Sequence, residues 1–106
     1  MKILRMDRGN GKTLHLIKLS TILDSPIICA TEQSKKYILD KAREMALEIP
    51  EPIVVNRINF DLVMRGRKEN LLIDDLDEVL KSLFGNNVIV ATTSASILEF
   101  QTGGKE

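Results

Sequence analysis

A chain of 106 residues is long enough for one compact domain and too short for two. Its 43% hydrophobic and 28% charged residues exclude a disordered or fibrous chain, and a formal net charge of zero excludes any global attraction to nucleic acid or an anionic membrane. Cys29 is the single cysteine, and no run approaches the roughly 18 apolar residues of a membrane span, so a cytoplasmic protein with no internal disulfide, no secretory signal and no membrane partner is expected.

Short apolar runs alternate with segments of helical period, the pattern of an α/β domain with a parallel sheet. The strand candidates are residues 2–6, 26–30, 52–56, 70–74 and 87–91. The later runs are continuously apolar at their centres, as in Ile53-Val54-Val55, Leu71-Leu72-Ile73 and Val88-Ile89-Val90, which predicts a sheet covered by helices on both faces. The expectation is therefore a three-layer α-β-α domain over residues 1–101, with a mostly parallel sheet of about five strands and a flexible tail at 102–106.

The first strand runs into Met6-Asp7-Arg8-Gly9-Asn10-Gly11-Lys12-Thr13, a Walker A phosphate-binding loop in which Met6 stands where the first glycine of G-x-x-x-x-G-K-[ST] belongs. A strand-to-helix turn of this kind aims backbone N–H groups and the positive end of a helix dipole at polyphosphate. Gly9 and Gly11 keep the turn free of side-chain bulk. The N–H groups of Asn10, Gly11, Lys12 and Thr13 line the cradle, Lys12 reaches the β- and γ-phosphates, and the Thr13 hydroxyl takes one position on Mg²⁺. Arg8 has two readings, a γ-phosphate contact or a solvent-facing side chain. The bland reading of the whole segment is a loop ahead of a helix.

That helix is predicted over 11–23, and it ends at the turn signal Asp24-Ser25-Pro26. Cys29 then closes an apolar strand and reads as an inert buried thiol. A second helix over about 33–47 is predicted from the stripe Ile38, Ala42, Met45 and Ile49. Residues 58–64 read either as a short helix or as irregular chain. The cluster Arg65-Gly66-Arg67-Lys68 reads as a solvated turn, or as a contact to nucleic-acid phosphate or to a neighbouring subunit's nucleotide.

Leu71-Leu72-Ile73 ends in Asp74-Asp75, where buried residues fix the backbone and a carboxylate emerges at the strand's carboxyl end. Asp74 is the candidate Mg²⁺ ligand; the alternative is a helix cap followed by a first-turn acid. Leu76, Val79, Leu80, Leu83 and Phe84 define an amphipathic helix stopped by Gly85-Asn86. The strand predicted at 87–91 leads to Thr92, whose hydroxyl either senses the γ-phosphate or serves a turn. A last helical turn or two is expected at 95–100.

Taken together, loop, first helix, acidic strand and threonine-ended strand resemble the P-loop NTPase superfamily. The stretch Arg8-Gly9-Asn10-Gly11-Lys12-Thr13 resembles the Arg-Gly-x-Gly-Lys-Thr loops of additional-strand ATPases, among them phage packaging and helicase-like motors. Asp74-Asp75 resembles their Asp-Glu pair. The resemblance implies a P-loop NTPase-like parallel sheet with the loop strand central, and ATP binding and hydrolysis with Mg²⁺. Asp75 then stands where the glutamate that polarises the attacking water is found, one methylene shorter. It also implies an ATPase subunit that works with a protein partner or as a homo-oligomer, because the chain holds little beyond the nucleotide site. Small ATP-binding proteins of phages and mobile elements are similar in size, and nucleic acid is a further partner the resemblance allows. The alternative is a degenerate P-loop domain that binds protein or nucleic acid without turnover, which Met6 and Asp75 favour. A dinucleotide-binding domain fits poorly, since the glycine spacing is wrong and Lys-Thr has no role there.

Overall fold

In a computed structural model, residues 1–6 and 11–100 are described. The order is β1 (Lys2–Met6), α1 (Lys12–Leu23), β2 (Ile27–Cys29), α2 (Glu32–Glu44), β3 (Ile53–Val54), α3 (Phe60–Met64), β4 (Leu72–Ile73), α4 (Leu76–Phe84) and β5 (Ser96–Phe100). Every strand pair is parallel, as the alternation of strand and helix requires.

The strands do not form the single sheet expected. Among the described residues they divide into a three-stranded sheet, ordered β3-β2-β4, and a two-stranded ribbon in which β1 pairs with β5 from Lys2 opposite Ser96 to Met6 opposite Phe100. Two local expectations change with this. The predicted strand 87–91 is not a strand, with Ile89 and Val90 largely exposed, because strand propensity acts only through cross-strand neighbours and β1 takes residues 96–100 instead. The helical turn predicted at 95–100 is a strand, because so short a segment cannot offset helix nucleation while pairing with β1 satisfies its backbone.

The three-stranded sheet is covered on both faces, and the side-chain alternation of β2 decides which residue faces which helix. Ile27 and Cys29 pack with Ile17 of α1 and with Ile38 and Ala42 of α2. Ile28, on the other face, packs with Ile53, Val55 and Val79 of α4, flanked by Val63 and Met64 of α3. Both clusters are continuous aliphatic packing, so β2 is the most deeply buried element of the fold.

Local signals set the helix ends. Thr31 precedes α2 in extended conformation and its Oγ1 accepts from the Ser34 N–H at 3.0 Å. Glu32 in the first turn and Lys41 and Arg43 in the last complement the helix dipole. Asp24 ends α1 in the left-handed region, and the Ser20 hydroxyl donates to the Ser25 carbonyl at 2.6 Å to bind the turn that leads into β2. Residues 58–64 resolve into α3, anchored where the Asn59 side-chain amide donates to the Val54 carbonyl at 2.9 Å. Gly85, at φ 83, stops α4 as its sequence position predicts.

Candidate functional site

The acidic half of the site is built on β4. The Asp74 N–H donates to the Ile28 carbonyl at 2.9 Å, so pairing to the central strand runs one residue past β4 and fixes Asp74 at its carboxyl end. Asp74 is buried, at 8% exposure, and burial, reinforced by the neighbouring Asp75 charge, pushes its pKa above the ordinary carboxylate range against the pull of Lys12.

Asp75 follows with φ 57, one of the few residues besides glycine in the left-handed region, which Asp tolerates better than most. It occupies the cap position of α4, where its carbonyl accepts from the Val79 N–H at 3.0 Å. Its side chain makes no capping bond. Instead Oδ1 accepts from Lys12 Nζ at 2.7 Å. The capping alternative for the Asp-Asp pair therefore describes the position of Asp75 but not what its carboxylate does.

Lys12 is the first residue of α1, reached through Gly11 at φ 87. A Cβ at Gly11 would meet no atom within 4 Å, so glycine is required there by backbone conformation and not by crowding. The hydrogen bond from Asp75 raises the Lys12 pKa, partial burial opposes it, and the charges of Asp74 and Asp77 add to the rise. Lys12 stays protonated at neutral pH. Thr13, next on α1, is half-buried. The remaining loop residues Arg8, Gly9 and Asn10 lie outside the described residues.

Among the described residues, Lys12 thus contacts the Asp75 carboxylate and feels the charges of Asp74 and Asp77. No group of three or more His, Cys, Asp or Glu side chains among the described residues could hold a metal by itself. The residues expected from the sequence to hold Mg²⁺, Thr13 and Asp74, lie in the first turn of α1 and just past β4.

Thr92 is not brought to this cluster by any described contact. It is exposed in the irregular segment before β5, and its neighbour Thr93 accepts from the Ala95 N–H at 2.9 Å in a turn. Arg65 and Arg67 are engaged locally, Arg65 with Asp61 and Arg67 with Glu69 at 2.8 Å. An open groove of about 650 Å³ lies away from Lys12, beside β3 and α3, and is lined by Lys35, Glu51, Arg67 and Glu69 among others. There Lys35 pairs with Glu51 and Arg67 with Glu69, which leaves little net charge for a polyanion. The direct contact between Lys12 and Asp75 is not legible in the sequence, where the two residues lie 63 positions apart. Its one available signal is that both residues stand at strand-to-helix turns, Lys12 opening α1 and Asp75 capping α4.

No helix among the described residues is long and apolar enough to cross a membrane. Compared with protein-family models, with curated protein sequences and with solved structures, the chain matches none.

Proposed function

We propose that the protein binds a nucleoside triphosphate, ATP by default because no Asn-Lys-x-Asp guanine-reading motif is present, and that it is a Mg²⁺-dependent ATPase subunit of P-loop type. The observation that carries the reading is the Lys12–Asp75 contact, which joins the Gly-Lys-Thr helix start to the acidic end of β4 across 63 residues of sequence. Strand order does not carry it, since β1 pairs with β5 and the acidic strand belongs to the other sheet.

In this reading Lys12 binds a phosphate oxygen at the positive end of α1. Thr13 and Asp74 would hold Mg²⁺, which supplies charge neutralisation at the phosphates. Asp75 orients a water and accepts its proton within hydrogen-bond reach. Work on a further substrate, in a nucleic-acid-related process, falls to a protein partner or a second copy in a cytoplasmic setting. Apolar side chains left exposed at Ile89, Val90 and Ile97 support such a partner. A second reading, a P-loop domain that binds without turnover, is favoured by the same contact, because it occupies the short carboxylate proposed as base.

Calorimetry with ATP and Mg²⁺ tests the first step. Lys12→Ala removes a charge-assisted phosphate contact and is expected to weaken binding by about tenfold to a hundredfold. Equal behaviour of variant and parent at millimolar ATP would sink the reading. Steady-state phosphate release separates the two readings: a rate at background with ATP bound selects the module without turnover.

A further inference from the structure

The Asp75 carboxylate sits at the start of α4 without bonding to that helix, so what holds it is Lys12. The pair is half open to water, with side-chain exposures of 32% and 44%, and is the described tie between the first turn of α1 and the first turn of α4. An ammonium has three N–H donors, but a polyphosphate seated on Lys12 while Asp75 stays in contact would press two anions against one cation, with Asp74 and Asp77 close by.

We propose that Lys12 and Asp75 form a latch that triphosphate binding opens: the ammonium exchanges the Asp75 carboxylate for a phosphate oxygen, and Asp75 becomes free to take a water. The inference rests on the nucleotide-binding reading above and adds its regulation. The closed latch costs part of the binding energy of the triphosphate. It also keeps the proton acceptor occupied until the polyphosphate is in place, so assembly of the acidic half waits on the loop half. Asn at position 75 keeps the left-handed backbone accessible while removing the charge, which makes Asp75→Asn a conservative probe.

Zero-length carbodiimide cross-linking followed by peptide mass spectrometry reads the contact directly. The nucleotide-free protein is expected to yield a Lys12–Asp75 amide. Its yield should fall about tenfold when Mg²⁺-ATP is at about ten times its dissociation constant, and adenosine should leave it unchanged. In calorimetry Asp75→Asn should bind ATP about two- to fivefold more tightly than the parent, the range set by a partly exposed ion pair. Asp77→Asn removes the same charge without the contact and should gain less. Absence of the amide in nucleotide-free protein overturns the latch, as does full yield while calorimetry shows ATP bound, or equal gains for the two variants. ATP binding by Asp75→Asn alone would support it. No binding by parent or variant would defeat the nucleotide reading itself, and the latch with it.

Discussion

The three-stranded sheet and the β1–β5 ribbon are both parallel, yet they differ in what surrounds them. β2 lies between two helical layers and its three residues are all buried, whereas Ile97 and Leu98 of β5 are about half exposed, at 51% and 45%. The acidic half of the candidate site is attached to the first region through the Asp74–Ile28 hydrogen bond, and Lys12 opens α1, which follows β1 of the second region in the chain but packs Ile17 into the first. The two halves meet, among the described residues, where Lys12 at the start of α1 contacts Asp75 just past β4. Local stability follows the amount of apolar surface removed from water, so the three-stranded sheet should open later than the ribbon.

The largest expected effect tests that difference in burial. Ile27→Ala leaves a cavity between α1, α2 and the sheet and should destabilise the fold by about 2–5 kcal/mol in denaturant titration. Ile97→Ala removes a half-exposed side chain and should cost about 1 kcal/mol or less. Equal losses would mean that the ribbon is as tightly integrated as the core, and the division into two regions would fall.

The same division explains what could be read in the sequence. Runs such as Ile27-Ile28 and Ile53-Val54-Val55 were legible as strands because burial on both faces writes a continuous apolar signal, and Leu76 to Phe84 because its period is helical. Val88-Ile89-Val90 carries the same signal and forms no strand, since whether an apolar run pairs depends on which edge is available. Ser96 to Phe100 reads locally as a helical turn for the same reason: a parallel partner 94 positions away, Lys2 opposite Ser96, is invisible to local pattern. At the candidate site, motif spacing singles out Gly11, Lys12, Thr13, Asp74 and Asp75, of which the structure brings Lys12 and Asp75 into contact. The ion pair was not, because side-chain pairing across distant elements follows from packing and leaves no periodic trace.

A smaller effect concerns Asp74, where function and stability pull apart. Burial raises its folded-state pKa above the unfolded value, so the folded form holds a proton more readily than the unfolded one. Folding stability should therefore fall as pH rises from the unfolded carboxylate pKa through the raised folded value, and stay lower above it. Asp74→Asn removes that slope and should raise the thermal midpoint of nucleotide-free protein at neutral pH, while Mg²⁺-dependent ATP binding weakens. A lower midpoint at pH 7 and an unchanged pH profile would show that the carboxylate is held by contacts stronger than its desolvation.

The smallest effect probes the core side of the comparison with a single atom. Cys29 is buried in β2 between the Thr31 and Ile53 carbonyls, with its Sγ 3.8 Å from each, and desolvation pushes its thiol pKa up to about 11. Native protein at pH 8 should resist alkylation, because the thiolate is scarce and the sulfur is covered, and should react only as the three-stranded sheet opens. The sign follows from the raised value: the neutral thiol stabilises the fold fully below the unfolded pKa, and that contribution drains away as pH rises from about 9 to about 11. Cys29→Ala should lose this part of the alkaline decline, seen as a smaller drop in midpoint than the parent over the same interval. If alkylation instead proceeds at the rate of a free thiol under native conditions, β2 is open far more often than a strand buried on both faces allows. The contrast between core and ribbon would then rest on β1 and β5 alone.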